Sequence, residues 1–424
     1  MMILIKNCFI LGPHYNHIGD IFINHGIIAH IGDDIIVAGA KVIDAKGLIA
    51  CPGLVDMHVH LREPGFEYKE DIQSGCLSAA AGGVTSIAAM PNTNPTCDSP
   101  ETVEFILNKG KDAAVHVYPV VAITTGQQGG ILCNFLELDK AGAVAVSDDG
   151  RPVLNAQLMR EAIIACEKLE LPVISHCEDT SISDGGLVNE GAASKILGVK
   201  GMPNAAEDVM VAREIALAAS ENKPVHLAHI STRGAVALIR DAKKRGIKIT
   251  AETCPHYFSL TEELTLSQDA DYRMSPPLRT TADVEAVTEG LVDGTIDVIV
   301  TDHAPHSKVD KADFYKAPNG VVGLETSLAV GNTYLVKKGK LNFEQLINKM
   351  STAPAKILGI EGGFIGMGEP ADITLFDPKE TWIVDPEKLH SKSHNTPFKG
   401  MELTGKVKLT ICRGEVVFDE LNEG

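Results

Sequence analysis

The middle of the chain alternates apolar strand-like runs with amphipathic helical segments, and this alternation limits the possible folds more than any other feature. Eight runs predict strands: 54–60, 84–90, 115–123, 143–147, 172–176, 224–230, 247–252 and 297–301. Four of the helices predicted between them are 156–169, 205–220, 232–245 and 281–291. Strands that alternate with helices pair in parallel. Eight such units favour an α/β fold with a closed (β/α)8 barrel of the TIM type, whose usual size is about 250 residues.

A doubly wound open sheet is the alternative for an alternating chain. It would place a Gly-x-Gly-x-x-Gly motif after the first strand, and the sequence has none there. The two ends of the chain, 1–50 and 362–424, instead predict short strands without a helical period. We therefore predict a barrel domain of residues 51–361, with the two ends meeting in one small β-sandwich domain.

His58 and His60 lie at the end of the first predicted barrel strand, and Arg62 follows two residues later. Alternate side chains of a strand share a face, so both imidazoles and the guanidinium point the same way. Two imidazoles on one face can bind one metal ion. Two surface histidines on an exposed edge strand would give the same motif. The residues at the ends of the other strands therefore distinguish a metal site from this alternative.

Polar residues also end the later strands, at the rim where (β/α)8 barrels hold their catalytic groups. They are Asn92 after strand two, Asp148 and Asp149 after strand four, His176 and His229 at the ends of strands five and six, and Asp302, His303 and His306 after strand eight. Four histidines with two carboxylates suit one or two divalent ions, and zinc matches them best. The shared position at strand ends favours this metal site over a separate structural explanation for each residue.

Several of these residues keep a plainer alternative. Asp148 and Asp149 precede a glycine and fit an ordinary turn. His226 and His229 lie an odd number of residues apart, so only one of them can face the barrel interior. We prefer His229, which is nearer the strand end, and predict that His226 is a packing residue. His256 stays open, and a solvated or structural role is predicted for the histidines of the β-rich ends: His14, His17, His25, His30, His390 and His394.

This ligand set predicts hydrolysis, or its reverse, at a carbonyl group. Bound metal ions lower the pKa of water to about 7, so that hydroxide exists at neutral pH. Asp302 beside that hydroxide can take its proton and return it to a leaving nitrogen. Arg62 and Asn92 offer donors that suit a substrate carboxylate. We therefore expect a small anionic substrate.

Charge and cysteine usage narrow the classes of partner and compartment. A net charge of −18 repels phosphate backbones, which argues against nucleic acid as a partner. The nine cysteines are scattered singly, as expected for a reducing cytosol. The first residues predict a short strand and not a signal peptide, and no apolar run reaches transmembrane length. The expectation is a cytoplasmic enzyme of small molecules that does not bind membranes.

Four motifs together resemble those of the dihydroorotase family in the amidohydrolase superfamily, specifically its long bacterial-type class I. They are His58-Val59-His60-Leu61-Arg62-Glu63-Pro64-Gly65, Met90-Pro91-Asn92-Thr93-Asn94-Pro95, Asp302-His303-Ala304-Pro305-His306 and Gly320-Val321-Val322-Gly323-Leu324-Glu325-Thr326. The resemblance covers nearly the whole chain. It implies zinc-dependent, reversible interconversion of N-carbamoyl-L-aspartate and L-dihydroorotate in pyrimidine synthesis.

The resemblance also implies the roles of individual residues. One zinc is bound by His58 and His60 with Asp302, a second by His176 and His229, and the substrate carboxylate is held by Arg62, Asn92 and His306. A metal-bound hydroxide attacks the ring amide carbonyl, and Asp302 carries the proton to the ring nitrogen.

Two positions depart from the pattern of many relatives. A carboxylated lysine is common at the end of strand four, but residues 142–150 contain no lysine. In this respect the sequence resembles the branch of the family that uses an aspartate instead, and Asp149 fits that position better than Asp148. Ser275 stands where asparagine is expected, although a serine can still hydrogen-bond the substrate ring. Residues 307–319, charged and bearing Pro318, predict a mobile loop at the mouth that closes over substrate.

Alternative functions of two classes compete with this prediction. An allantoinase or hydantoinase-type cyclic-amide hydrolase would share the metals, but Arg62 and Asn92 favour a ring that bears a carboxylate, which allantoin lacks. A non-catalytic homologue that serves as a partner of aspartate transcarbamoylase typically loses metal ligands, whereas this chain keeps every one. A homodimer and a complex with aspartate transcarbamoylase remain open at this stage, because no residue pattern decides either.

Overall fold

The computed structural model describes residues 2–12 and 15–421 and contains two large sheets. His14 lies outside the described residues. The N-terminal segment forms five strands: β1 (Met2–Gly12), β2 (Tyr15–Asn24), β3 (Ile27–Gly32), β4 (Lys41–Asp44) and β5 (Ile49–Pro52). After a single residue, Gly53, the chain passes directly from β5 into the second sheet.

The second sheet is the predicted barrel. Its parallel strands are β6 (Leu54–Val59), β7 (Val84–Ala89), β8 (His116–Val121), β9 (Ala145–Ser147), β10 (Val173–Ser175), β13 (Val225–Leu227), β14 (Ile249–Thr253) and β15 (Val298–Ile299), and the two intervening strands β11 and β12 are described below. The strands lie side by side in chain order. A parallel bridge between Val59 and His303 joins the two ends of the sheet, so the barrel is nearly closed. The predicted (β/α)8 architecture and all eight predicted strands are confirmed.

Helices follow the barrel strands along the chain, and most of them cover the outside of the barrel. They are α1 (Ile72–Ala81), α2 (Pro100–Gly110), α3 (Phe135–Ala141), α4 (Ala156–Glu167), α5 (Thr180–Ser183), α6 (Ala192–Leu197), α7 (Ala205–Glu221), α8 (Arg233–Lys244), α9 (Thr281–Asp293), α10 (Ser327–Gly331), α11 (Phe343–Ile347) and α12 (Ala353–Leu358). In α8 the Thr232 side chain caps the helix by accepting from Ala235 N, and Val236 and Ile239 face the core. The observed bounds of four helices, α4, α7, α8 and α9, each lie within about two residues of the predicted bounds.

An excursion between β10 and α7 was not predicted. It contains α5, α6 and a ribbon of two short parallel strands, β11 (Val188–Asn189) and β12 (Gly201–Met202). These strands have two residues each, too few to show a hydrophobic period in the sequence. The excursion lies over the carboxyl ends of the barrel strands and contributes to the mouth of the cavity described below.

The two ends of the chain share one sheet. The C-terminal segment supplies β16 (Ile373–Ile383), β17 (Glu402–Cys412) and β18 (Glu415–Asp419). The strand order is β18-β17-β16-β5-β1-β2-β3, with β4 paired to β1, so the antiparallel pair of β16 and β5 joins the two segments. An isoleucine-rich cluster forms the core of this sheet. The prediction that the two β-rich ends meet is confirmed, and no helix among the described residues is long and apolar enough to cross a membrane.

Candidate active site

The carboxyl ends of the barrel strands bring six of the predicted site residues into one buried group. One set of neighbouring ligand atoms comes from His58, His60 and Asp149, and a second comes from Asp149, His176 and His229. Within each set the ligand atoms lie within 4.8 Å of one another. Asp302 joins the first set, because its Oδ1 is 3.0 Å from His60 Nε2. Asp149 is common to both sets, as a bridge between two cations must be.

His58 shows most clearly that this group suits a metal ion. Its Nδ1 lies 2.6 Å from Glu252 Oε1, so the ring is held from behind. Its Nε2 is buried and, among the described residues, has no hydrogen-bond partner; the nearest carboxylate oxygen, Asp149 Oδ1, is 3.3 Å away. A buried polar atom that lacks a partner costs free energy unless something binds it. The groups around this atom are imidazoles and carboxylates, which are suitable ligands for divalent ions such as zinc.

Asp148 and Asp149 point in different directions. Asp148 accepts hydrogen bonds from Ile123 N at 2.8 Å and Thr124 N at 3.1 Å, and also from the Thr124 hydroxyl. Its carboxylate therefore holds the loop that follows β8. Asp149 Oδ1 instead lies 3.2 Å from His176 Nδ1 and 3.5 Å from His229 Nε2. The structure thus places Asp149, and not Asp148, among the candidate ligands.

The imidazoles of His226 and His229 also point to different parts of the barrel. His229 lies in the ligand group, with its Nε2 2.8 Å from His176 Nδ1. His226 points elsewhere in the barrel, where its Nε2 is 3.1 Å from Glu252 Oε2. His256 is fully buried beside Tyr257, and burial lowers the pKa of its imidazole to about 4. It is therefore neutral at physiological pH.

Opposite charges in this buried site shift the pKa values of the ligands. Burial raises the pKa of Asp149, but the charge of His58 and hydrogen bonds from His176 and His229 outweigh it, so the pKa lies well below its usual value. Burial lowers the pKa of His58, but the charges of Asp149 and Glu252 outweigh it, so the pKa lies well above its usual value. The site therefore holds ionised carboxylates that a metal cation can neutralise.

Five of the six residues of the ligand group, all except the fully buried His58, form the floor of a cavity of about 440 Å³. The wall includes all four predicted substrate-binding residues, Arg62, Asn92, Ser275 and His306. Arg62 donates from Nε to Pro305 O at 3.2 Å, and its Nη2 lies 3.3 Å from His306 Nε2. Lys69 Nζ is 3.2 Å from His306 Nδ1, which places a second cation behind the same imidazole. The cavity therefore combines an acidic floor with a basic wall.

Asn92 serves both the floor and the wall. Its Oδ1 lies 2.7 Å from His60 Nδ1, which orients the imidazole with Nε2 toward Asp302 and Asp149. The Nδ2 group, which carries two N–H donors, lies near Gly150, and both residues line the cavity.

Three further polar residues reach the cavity that sequence reasoning did not identify: Glu178, Arg273 and Asn319. Glu178 Oε2 lies 3.1 Å from His176 Nε2, and its pKa is about 2, because the hydrogen bond and charge of His176 outweigh the effect of burial. Arg273 donates to Phe314 O at 2.5 Å and to Asn319 Oδ1 at 3.1 Å. Glu178 follows the end of β10 by three residues, a position that could have identified it.

The segment 307–319, predicted as a mobile loop, lies at the mouth of this cavity. Lys311 anchors the segment, because its Nζ donates to three carbonyl oxygens. Two lie outside the segment, Ala270 O at 3.0 Å and Arg273 O at 3.1 Å, and one lies within it, Pro318 O at 3.0 Å. Phe314 is buried. The segment ends at Asn319, whose carbonyl oxygen is 2.9 Å from His306 Nε2. Its mobility stays a prediction.

A third set of neighbouring potential ligands, His116, Asp372 and Cys412, lies away from the cavity. Here the polar atoms already have partners. Asp372 accepts from Arg413 N at 2.7 Å and lies 3.0 Å from His116 Nε2, and the Cys412 thiol contacts Thr85 O at 3.7 Å. This set lacks the unpartnered buried nitrogen that distinguishes the cavity floor, so we interpret it as structural.

Comparison with known proteins gives two matching family models. The family described as Dihydro-orotase-like matches residues 47–235, and the Amidohydrolase family matches residues 203–418. The chain is 51% identical to a dihydroorotase of Acetivibrio thermocellus over 98% of this chain and 99% of that protein. It is 50% identical to a dihydroorotase of Syntrophus aciditrophicus over 99% of this chain and all of that protein.

Solved structures with the same fold include hydantoinases and dihydropyrimidinases. An L-hydantoinase from Arthrobacter aurescens superposes with a TM-score of 0.88 at 27% identity and covers 99% of this chain and 96% of its own. A dihydropyrimidinase from Brevibacillus agri superposes with a TM-score of 0.87 at 26% identity and covers 99% and 95%. Sequence identity is thus about twice as high toward the two dihydroorotases as toward these enzymes.

Proposed function

Because the chain belongs to the dihydroorotase family of the amidohydrolase superfamily, we propose how its site residues carry out the family's reaction. That reaction is the reversible interconversion of N-carbamoyl-L-aspartate and L-dihydroorotate in pyrimidine biosynthesis. The enzyme is a cyclic amidohydrolase. The observation that carries the assignment of residues is the buried histidine–aspartate group beneath a cavity with a basic wall.

The family and the histidine–aspartate sets indicate a divalent metal ion, and we propose two zinc ions. His58 and His60 would hold one together with Asp302, His176 and His229 would hold the other, and Asp149 would bridge them. The unpartnered Nε2 of His58 supports this assignment. When bound, zinc lowers the pKa of a water molecule and polarises a carbonyl group. Side chains of the protein would bind the substrate and transfer the proton.

The basic wall would bind the substrate carboxylate. Arg62 supplies the charge and a forked set of donors, and Asn92 supplies its two N–H groups. His306 stays neutral, because burial and the charges of Arg62 and Lys69 hold its pKa near 2. It therefore contributes as a hydrogen-bonding group rather than as a cation. Ser275, on the same wall, would contact the substrate ring.

Asp302 would move the proton in either direction. Burial raises its pKa, but the hydrogen bond with His60 and the charges of His58 and His60 outweigh this, so the carboxylate is ionised and can act as a base. In hydrolysis it takes a proton from the attacking water as the new C–O bond forms. It then gives the proton to the ring nitrogen as the C–N bond breaks. Ring closure follows the same steps in reverse.

The test compares turnover of L-dihydroorotate, allantoin and hydantoin by the zinc-loaded protein. Turnover of dihydroorotate is expected, with kcat lower by at least about 100-fold in Asp302→Asn and in Asp302→Ala. Zinc content is measured in each variant, so that a lost ligand is separated from a lost proton carrier. Preferential turnover of hydantoin would overturn the substrate assignment. A zinc-loaded Asp302→Asn protein with wild-type kcat would overturn the proton transfer.

Partners and compartment also belong to this proposal. All nine cysteines are free and buried, which supports a reducing cytosol. A homodimer and a complex with aspartate transcarbamoylase stay predictions. Light scattering of the chain alone, and of the chain mixed with that enzyme, tests both. A monomer mass in each experiment would remove them.

A further inference from the structure

A buried carboxylate, Glu252, bridges two histidines beneath the ligand group. It lies in β14 and is 0% exposed. Its Oε1 is 2.6 Å from His58 Nδ1, and its Oε2 is 3.1 Å from His226 Nε2. His226 Nδ1 continues the chain of hydrogen bonds to Thr250 Oγ1 at 2.8 Å. Three side chains thus lie in series behind one candidate metal ligand.

This arrangement fixes the ring of His58. An imidazole that donates from Nδ1 to a carboxylate keeps Nε2 free of its proton when neutral, and Nε2 is the atom that faces Asp149. A carboxylate held at one oxygen alone could rotate away from the ring. His226 engages the second oxygen, so Glu252 is held at both ends.

The far end of the series opens toward solvent. His226 and Thr250 line a cavity of about 510 Å³ that also includes Pro172 and Pro224, which precede β10 and β13. It therefore lies at the opposite end of the barrel from the candidate active site. Strand β13 and the residues directly after it then contribute two histidines with different contacts. His229, just past the strand, reaches the ligand group, and His226, within the strand, contacts Glu252.

We propose that Glu252 and His226 are positioning residues for metal binding, with Glu252 orienting His58 and His226 clamping Glu252. This inference rests on the proposed function, in which His58 is a metal ligand. The alternative is that Glu252 merely satisfies two buried histidines in the core. The alternatives differ in a measurable way, because a purely structural role would change the stability of the metal-free protein without changing its zinc affinity.

The experiment measures the zinc dissociation constant by competition with a chromophoric chelator, and in parallel the melting temperature of the metal-free protein. Glu252→Ala and the shape-matched Glu252→Gln are expected to bind zinc about 10- to 100-fold more weakly, the range typical of a support behind a histidine ligand. The control is Glu214→Gln. Glu214 is also 0% exposed, but its partners are Ser175 and Arg213.

The second support has its own pair of variants. His226→Leu removes the donor to Glu252 and should weaken zinc binding by several-fold, less than Glu252→Ala because the contact between Glu252 and His58 remains. His226→Gln retains an N–H donor and should restore most of the affinity. Zinc dissociation constants for Glu252→Ala and His226→Leu equal to that of Glu214→Gln would overturn the inference. A wild-type protein that binds no zinc would instead overturn the proposed function.

Discussion

Asp148 and Asp149 are neighbours in the sequence, yet one carboxylate supports a loop and the other joins the ligand group. We expect Asp149→Asn to lose bound zinc, because an amide is a weaker bridge between cations than a carboxylate. Asp148→Asn should keep its zinc but unfold at a temperature a few degrees lower, since it weakens a buried hydrogen bond worth about 1–3 kcal/mol. Zinc content and melting temperature of both variants test this. Zinc loss in Asp148→Asn alone would reverse the assignment.

His306 makes stability depend on pH. Burial, with the charges of Arg62, Lys69 and Lys311, lowers its pKa to about 2, whereas an unfolded histidine titrates near 6.5. As pH falls from about 7 toward 4, the unfolded chain therefore gains a proton that the folded protein does not, and stability is lost. His306→Gln should show a shallower loss over this window. The urea midpoints of metal-free wild type and His306→Gln, measured between pH 5 and 7.5, test this. If the midpoint changed with pH equally in both proteins, His306 would not be the source of the pH dependence.

Residue types at the site could be predicted from the sequence, but their backbone conformations could not. Arg62, His229 and Asp302 have φ values of 64°, 35° and 46°, in the left-handed region that non-glycine residues rarely occupy. Strand alternation predicts the face on which a side chain lies only while the chain stays extended. At these positions the chain turns as each strand ends, and tertiary contacts then aim the side chains.

At the scale of elements, the segment 307–319 is anchored by one half-buried lysine, Lys311. Lys311→Met removes three hydrogen bonds to carbonyl groups and should loosen the segment while leaving the barrel folded. We expect proteolytic nicking there to be several-fold faster than in wild type, and KM to rise. Saturating substrate should slow nicking if the segment closes over the cavity. Lys308→Met, at an exposed position, is the control. Nicking that substrate leaves unchanged would contradict closure.

Elements with a clear period were predictable, and elements defined by contact were not. Helix α8 carries its cap and its apolar spacing in the sequence, so its bounds followed directly. The ribbon of β11 and β12 depends on pairing between residues 188–189 and 201–202, which no local period encodes. Yet this excursion brings Met202 to the cavity wall. The part of the cavity wall that this excursion contributes was therefore missed, whereas the ligands at strand ends were identified.

At the scale of the whole molecule, metal binding should contribute to stability. Chelation would leave several like-charged carboxylates buried together around His58 and His60. A ligand that binds only the folded state stabilises it by about 2.7 kcal/mol when present at 100 times its dissociation constant. The melting temperature should therefore fall on chelation and recover when zinc is returned. A melting temperature independent of zinc would argue against a site in the folded protein.

Gly53 connects all three segments of the division that we propose, 1–50, 51–361 and 362–424. Its N–H donates to Asp372 O at 2.9 Å in the shared sheet, and its carbonyl accepts from Ser351 Oγ at 2.7 Å. A Cβ at this position would lie 2.8 Å from Cβ of Thr85, a buried residue that cannot move away freely. Gly53→Ala should therefore destabilise the protein by about 1–3 kcal/mol, as overpacking does.

Thr85→Ala removes the atoms that clash most and should partly rescue Gly53→Ala. The double variant should then be more stable than expected if the destabilisations of the two single variants simply added. Because β6 runs from this junction to His58, Gly53→Ala should also lower zinc content, and the double variant should regain part of it. Additive free energies would show that Gly53→Ala does not act through Thr85. Full zinc content in an unstable Gly53→Ala protein would show that the junction and the ligand group are independent. Coupling of the two would mean that the terminal sheet helps to hold the first barrel strand, and with it the metal ligands, in place.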